Sequence, residues 1–120
     1  MFLNISNHPV AKWSPEQVAA AEALGNHVQD VPFPNVPPTA TAEEVTAMAR
    51  VVVAQFASMP VYGVDCVMVQ GEFSLTYELS RMFLALGWEV VVATTERNVE
   101  EVDGKKVVTF QFVQFRKLRP

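Results

Sequence analysis

Short apolar runs that favour β-strands alternate along this chain with longer segments of helical periodicity. The strand-like runs cover residues 2–6, 27–31, 64–69 and 88–93. Between them, apolar residues recur at the spacing of one buried helix face. Strands that alternate with helices predict a parallel sheet with helices on both faces. The sequence therefore predicts a three-layer α/β fold with a mostly parallel sheet.

Capping residues mark the ends of the predicted helices. Ser14 is followed by proline, which suits the first helical position, and Gly25 has the residue type that ends helices. Residues 41–44 form a capping box for the second helix, which runs to residue 56, with Pro60 beyond its end. The third helix covers residues 75–86 and stops at Gly87.

The C-terminal quarter changes character. Residues 94–97 are polar and predict a loop after the fourth strand. Residues 99–102 and 105–115 read as a hairpin, because Asp-Gly at 103–104 suits a type I′ turn. We expect the strand order 2-1-3-4, with this hairpin at one edge, in a single domain over residues 1–120.

Composition restricts the class of protein. The 120 residues are 50% hydrophobic and 18% charged, carry a net charge of −4, and include one cysteine, Cys66, which we expect in the core. One cysteine excludes an internal disulfide, and two histidines argue against a metal site, so we expect neither metal nor cofactor. The acidic balance argues against a protein that coats long DNA. No apolar run is long enough to span a membrane and no signal peptide is evident, which favours the cytoplasm.

In a sheet of this order, ligands bind beyond the carboxyl ends of the strands, where the order reverses. The reversal falls between strands 1 and 3. The loops at residues 7–14 and 70–76 are expected at this reversal, with residues 94–97 beside them. We expect these three segments to meet at one crevice.

The first loop combines side chains suited to an anionic, aromatic ligand. It precedes a helix N-terminus, where backbone N–H groups attract anions. Lys12 adds positive charge, His8 an imidazole and Trp13 a face on which a base can stack. Asn7 and Ser14 supply further polar groups.

The other two segments add hydroxyls, carboxylates and a guanidinium. A glycine lets the backbone approach a phosphate closely, and an arginine suits phosphate recognition. The candidate ligand-binding residues here are Gly71, Glu72, Ser74, Thr76, Thr94, Thr95 and Glu96, together with Arg97.

Each of these residues also has a purely structural interpretation. His8 can belong to a simple turn, and Lys12 can be a solvated surface charge. Trp13 can cover the edge of the core, and Ser14 can act only as a helix cap. Gly71 can serve the strand-to-helix turn alone. The carboxylates can be solvated, and Arg97 can pair with one of them.

Several familiar motifs are absent from the sequence. It contains neither of the glycine-rich phosphate-binding patterns, GxxxxGK[ST] or GxGxxG. It also lacks GxSxG and HExxH. Function must therefore be argued from the crevice.

Three short segments resemble small CRISPR-associated proteins of the CARF-like group. They are Phe-Leu-Asn-Ile-Ser-Asn-His-Pro at 2–9 with Trp-Ser at 13–14, Val-Gln-Gly-Glu-Phe-Ser-Leu-Thr at 69–76, and Ala-Thr-Thr-Glu-Arg at 93–97. The resemblance implies a Rossmann-like dimer that binds cyclic oligoadenylate, the second messenger of type III CRISPR defence. Some such proteins, called ring nucleases, also degrade it.

Ring cleavage of this kind needs no metal. A ribose 2′-hydroxyl attacks the adjacent phosphodiester, and the protein holds the geometry and assists proton transfer. The resemblance implies that His8 is the acid or base, and that Lys12 and Arg97 stabilise phosphate charge. Ser74, Thr94 and Thr95 would hydrogen-bond sugar or base edges.

Three other interpretations of function stay open at this point. The protein can bind the messenger without cleaving it, as a sensor or sponge. It can be an unrelated nucleotide-binding enzyme or regulator that uses the same crevice. The hairpin, in which Phe110 and Phe112 share one face, can also form a dimer interface.

Overall fold

A computed structural model describes residues 1–57 and 64–120. In these residues it has a five-stranded mixed sheet and three α-helices. The predicted position of Pro60 lies outside the described residues. The strands are β1 (Phe2–Ser6), β2 (Val28–Pro32), β3 (Cys66–Gln70), β4 (Val90–Val102) and β5 (Lys105–Lys117). The helices are α1 (Pro15–Gly25), α2 (Ala42–Ala57) and α3 (Phe73–Ala85), and a 3-10 turn (Val10–Lys12) precedes α1.

The sheet has the strand order β2-β1-β3-β4-β5, which confirms the predicted order 2-1-3-4. Its first four strands are parallel, and β1 is central: Phe2 pairs with Val28 on one side and with Cys66 on the other. Every residue of β1 is buried. A strand covered on both faces needs helices on both, because its apolar side chains point alternately to each.

Two apolar clusters occupy the two faces of the sheet. Leu3 and Ile5 of β1 pack with α2 and α3 on one face, in a cluster centred on Leu79 and Phe83. Phe2 packs on the other face with Ala21 of α1. Helices therefore cover both faces, α1 on one and the other two helices on the opposite one.

The predicted helix starts are confirmed for α1 and α2. The Ser14 hydroxyl accepts a hydrogen bond from the Gln17 N–H at 3.2 Å. The capping box closes in both directions, since Glu44 N donates to the Thr41 hydroxyl and Thr41 N donates to the Glu44 carboxylate. The third helix begins earlier than predicted, at Phe73, because Glu72 caps it.

The two glycines predicted to end helices have different roles. Gly87 has φ +81°, the left-handed conformation that follows a helix end. Gly25 is instead the last residue of α1, and Asn26 takes the positive φ. A Cβ on Gly25 would lie 2.7 Å from the backbone nitrogen of Phe2, so glycine is needed there for close packing against β1.

The C-terminal quarter departs from the prediction. Residues 94–97 are not a loop: β4 continues through them to Val102 and pairs antiparallel with β5 throughout. The predicted fourth strand and first hairpin strand are thus one strand. Antiparallel pairing with β5 satisfies the backbone hydrogen-bonding groups of this polar stretch without burying its side chains in the core. The turn itself is confirmed, with φ +52° at Asp103 and +76° at Gly104, as type I′ requires.

We call the outer part of this hairpin, residues 95–102 and 105–112, the arm. Its side chains are mostly exposed, and it makes the molecule elongated, with extents of 52 × 38 × 25 Å. The radius of gyration is 15.9 Å, against about 13 Å for a compact domain of about 100 residues. No helix in the described part of the chain is both long and apolar enough to cross a membrane.

Candidate functional site

The loops after β1 and β3 leave the sheet at the same end, because Ser6 pairs with Gln70 at the carboxyl ends of both strands. Beside this end, on the face covered by α1, lies a cavity of about 460 Å³. Its lining comes from the first loop, α1, β3 and the β4–β5 hairpin. The lining residues are His8, Lys12, Trp13, Gln17, Met68, Gln70, Ala93, Thr95 and Phe110.

The cavity lies where β4 departs from the parallel sheet. Only Val67–Val90 and Met68–Val91 are paired between β3 and β4. Beyond them the side chain of Gln70 replaces the backbone ladder: its Oε1 accepts from Ala93 N at 3.0 Å, and its Nε2 donates to Ala93 O at 3.5 Å. This side-chain bridge holds the base of the arm at a fixed place beside the cavity.

The backbone of His8 is fixed by neighbouring side chains. Its carbonyl oxygen accepts from Asn4 Nδ2 at 2.8 Å and from Trp13 Nε1 at 2.9 Å. Its N–H donates to the Ser6 hydroxyl at 3.1 Å, and that hydroxyl donates to Asn4 Oδ1 at 2.6 Å. The exposed imidazole therefore projects from a rigid turn into the cavity lining.

Asp30 of β2 completes this network. Its carboxylate accepts from Asn4 Nδ2 at 2.9 Å and from Val10 N at 3.1 Å. The sequence interpretation missed Asn4, Ser6 and Asp30. The available signal was the presence of two polar residues, two positions apart, in an otherwise apolar strand, where a buried polar group requires partners.

Trp13 serves the core as well as the cavity wall. Its ring lies 6.1 Å from the ring of Phe2, edge to face, and 6.1 Å from that of Phe115. Its indole N–H is already bonded to His8. The structural interpretation of Trp13 therefore holds, and only the remaining face of the ring is available to a ligand.

The two other candidates in the first loop point elsewhere. Ser14 uses its hydroxyl as the cap of α1 and does not line the cavity. Asn7 lines a separate cavity of about 250 Å³, together with the buried Asn4 and Ser6 and the half-buried Asp30. Of the first loop, the structure thus gathers His8, Lys12 and Trp13 at one cavity.

The second loop is arranged differently from a phosphate cradle. The Glu72 carboxylate accepts from the N–H groups of Ser74 and Leu75, at 3.0 and 2.9 Å, and from the Ser74 hydroxyl at 2.7 Å. The hydrogen bond from the Ser74 hydroxyl, followed by those from the two N–H groups, lowers the pKa of Glu72. The start of α3 is therefore already occupied by a negative charge.

Gly71 and Thr76 also have structural surroundings. A Cβ on Gly71 would lie 2.6 Å from the ring of Phe33, so glycine is needed for this packing. The Thr76 hydroxyl is buried and has no hydrogen-bond partner among residues 1–57 and 64–120. None of the four candidates in this loop, Gly71, Glu72, Ser74 and Thr76, lines the cavity.

The third segment is strand, so its side chains alternate between faces. Thr95 lines the cavity. Arg97, two residues further along β4, lies on the same face of the arm. Thr94 and Glu96 are on the opposite face. The Thr94 hydroxyl is bonded to the backbone of Gln114, beside the irregularity in the β4–β5 register. The expectation that all four residues face one crevice is wrong for this reason.

The cavity has mostly apolar walls that carry several polar side chains, and no acidic residue of the described part of the chain lines it. Lys12 provides a positive charge, His8 an imidazole, and Gln17 and Thr95 hydrogen-bonding groups. Trp13 and Phe110 form aromatic walls. No group of three or more histidine, cysteine or acidic side chains that could hold a metal occurs in residues 1–57 and 64–120.

Cys66 lies in the core and not at the site. It is buried in the cluster beneath α1. Burial raises the pKa of its thiol to about 12, so the thiol stays protonated near neutral pH. A buried, protonated thiol of this kind is typical of a core cysteine.

Fold and site together define an α/β protein with a mostly parallel sheet and, at the carboxyl ends of its strands, a cavity with aromatic walls and several polar side chains. The chain belongs to the uncharacterized protein MJ1673 family, whose model matches residues 1–116. No curated protein and no solved structure matches the chain.

Proposed function

We propose that this chain is a Rossmann-like, cytoplasmic CRISPR-associated protein that binds cyclic oligoadenylate in the cavity beside His8. The observation that carries the proposal is the lining itself. A lysine, hydrogen-bonding side chains and two aromatic walls surround about 460 Å³, within the range of roughly 300–1,000 Å³ typical of ligand sites. The resemblance of the three segments to CARF-like proteins supplies the ligand class.

The lining suggests how a nucleotide unit would be held. Lys12 would meet a phosphate, because the cavity wall offers no competing carboxylate. The Thr95 hydroxyl and the Gln17 amide would reach sugar or base edges. An adenine would stack against Phe110 or the free face of Trp13. Arg97, on the face of Thr95, would meet a phosphate outside the cavity.

A cyclic oligoadenylate contains several nucleotides, whereas this cavity is near the lower part of the ligand-site range. One copy would therefore hold part of the ring. In a homodimer, two cavities related by a two-fold axis would hold two equivalent parts of it. A dimer is accordingly part of the proposal.

Ring cleavage is the second half of the proposal. A base removes the proton from a ribose 2′-hydroxyl, whose oxygen bonds to the adjacent phosphorus while the bond to the 5′-oxygen breaks and that oxygen gains a proton. The product ends in a 2′,3′-cyclic phosphate. His8 would transfer the proton, and Lys12 and Arg97 would stabilise the negative charge that develops on phosphate.

The experiment combines calorimetry with chromatography. Purified protein is titrated with cyclic tri-, tetra- and hexa-adenylate, with linear oligoadenylate as the control. The same mixtures are then incubated in EDTA and separated. Saturable binding of one ring supports the binding half, and a linear product in EDTA supports metal-independent cleavage. Absence of binding by all three rings rejects the proposal.

One observation favours binding without cleavage as the alternative. In the described part of the chain, no hydrogen bond or ion pair involves the His8 imidazole, so no protein group orients it. Catalytic histidines are commonly oriented by a hydrogen-bonded partner. A sensor or sponge would leave the ring intact after long incubation.

Two histidine variants separate the alternatives. His8→Ala should retain binding and lose cleavage if His8 transfers the proton. His27→Ala is the matched control. His27 is also exposed, but it precedes β2 and so lies at the amino-terminal end of the parallel strands, away from the cavity. Equal cleavage by wild type and His8→Ala would exclude the proposed role of His8.

A further inference from the structure

The arm exposes apolar side chains on both faces: Val102 and Val107 lie on one, and Val99, Val108 and Phe110 on the other. Phe110 is 67% exposed, Val99 47% and Val108 41%. Val99 and Val108 are direct cross-strand partners, and Phe110 lies two residues from Val108, so all three share a face. An exposed apolar patch on a projecting ribbon marks an interaction surface. We call it the Phe110 face.

Charged residues flank this patch in a regular pattern. On β4 the face reads Arg97, Val99, Glu101, and on β5 it reads Lys106, Val108, Phe110. The salt bridges of residues 1–57 and 64–120 join Met1 to Asp65, Arg81 to Glu78 and Lys117 to Glu89. None of the three charges of the Phe110 face belongs to these pairs, although Glu101 lies directly opposite Lys106 on the neighbouring strand.

The pattern is complementary to itself. Two such faces can pack together about a two-fold axis that lies between them, parallel to the line from Val99 to Val108 and perpendicular to the strands. Each strand then runs antiparallel to its own copy. Glu101 of each copy then lies over Arg97 of the other, and Lys106 lies over Phe110. Opposite charges meet twice, a cation meets an aromatic face twice, and the valines meet at the centre.

We infer that the Phe110 face is the contact surface between two copies of this chain, packed face to face and antiparallel. The interface does not depend on the identity of any ligand. It differs from pairing through the outer edge of the sheet, where β5 carries Lys105, Lys106, Arg116 and Lys117. Two such basic edges side by side would repel, and lysines on an edge strand commonly prevent such pairing.

The same axis brings the second copy to the cavity. Asp103 lies four residues beyond Val99 on the chain, and Thr95 lies four residues before it. The turn of one arm therefore lies over Thr95 of the other copy, at the cavity lining. Each copy would then close part of the site of the other.

Sedimentation velocity and light scattering at tens of micromolar test the interface. The wild-type protein is expected at twice the chain mass of 13.3 kDa. Val108→Asp should dissociate it. Val107→Asp is the matched control, because Val107 is 42% exposed and adjacent on β5 but belongs to the opposite face. A monomeric wild type, or equal effects of the two variants, overturns the inference.

Charge reversal tests the direction of packing. Glu101→Arg and Arg97→Glu should each weaken dimerisation at least about tenfold, and the double variant should recover most of the loss. The two residues are about 13 Å apart along one strand, so recovery can arise only between copies. Failure of the double variant to recover excludes the antiparallel arrangement.

Arg97 and Phe110 belong to both the proposed interface and the proposed ligand site, whereas Val108 does not line the cavity, so the Val108 variant separates the two proposals. A dimer with no affinity for cyclic oligoadenylate would keep the interface and remove the proposed function. A monomer that binds the ring would remove the interface and the two-fold arrangement of cavities, and would keep only binding by a single cavity. Circular dichroism melts of each variant show that it is folded, so that loss of the dimer is not confused with loss of structure.

Discussion

The indole N–H of Trp13 donates to the main-chain carbonyl of His8 at 2.9 Å, while the Trp13 ring packs on Phe2 in the core. One side chain thus connects the apolar core to the turn that presents the imidazole. Asn4 and Ser6 form hydrogen bonds with the backbone of the same turn, and Asp30 accepts a further hydrogen bond from Asn4. The position of His8 is therefore a property of the folded core and not of a free loop.

Removing Asn4 should destabilise the fold. Asn4 is 1% exposed, and its amide donates to both His8 and Asp30. Asn4→Leu keeps the size of the side chain but removes its hydrogen bonds with the His8 carbonyl, the Asp30 carboxylate and the Ser6 hydroxyl, which should cost about 1–3 kcal/mol of unfolding free energy. Urea denaturation measures it. The exposed Asn35→Leu is the control and should change stability little; equal losses would contradict the network.

Gly71 should tolerate no larger residue while Phe33 is present. Gly71→Ala places a Cβ 2.6 Å from the Phe33 ring and should cost about 1–3 kcal/mol through overpacking. Combining it with Phe33→Leu should give a smaller loss than the sum of the two single changes, because the clash is relieved. Additive losses, measured by chemical denaturation, would show that the ring does not set the requirement for glycine.

Glu72 should make stability depend on acidic pH. Its hydrogen bonds from Ser74 and Leu75 lower its pKa from the ordinary value of 4.5, so its contribution is present above that value and is lost as pH falls through the folded-state pKa. Thermal melts from about pH 3 to about pH 7 should show a smaller pH dependence for Glu72→Gln than for wild type, with the two converging at low pH. Glu43→Gln, an exposed change in the first turn of α2, is the control. Parallel wild-type and Glu72→Gln curves would rule out the cap.

Much of the fold follows from local sequence patterns. Apolar runs located the four parallel strands, and the caps at Ser14 and Thr41 located two helix starts, because these signals act within a few residues. The continuation of β4 through Thr94–Arg97 was not predicted, since its pairing partners lie at residues 110–114, far along the chain. A polar segment carries no sign of such a partner.

The candidate site was predicted in part. Strand order places the loops after β1 and β3 together, which brought His8, Lys12 and Trp13 to the correct edge. The cap formed by Glu72 and the packing of Phe33 on Gly71 depend on side-chain geometry, which strand order does not specify. The Asn4–Asp30 contact joins residues 26 positions apart and becomes visible only when the register of β1 and β2 is known.

The most direct test of the central claim is a calorimetric titration of cyclic tetra-adenylate into wild type, Lys12→Gln and Arg50→Gln. Lys12 lines the cavity, whereas Arg50 is an exposed cation of α2, on the opposite face of the sheet. We expect the dissociation constant to rise at least about tenfold for Lys12→Gln, through loss of a charge-assisted contact, and to stay unchanged for Arg50→Gln. Binding that is equally tight in all three proteins, or absent from wild type with this ring and with the tri- and hexa-adenylate rings, would contradict a cyclic-oligoadenylate site beside His8.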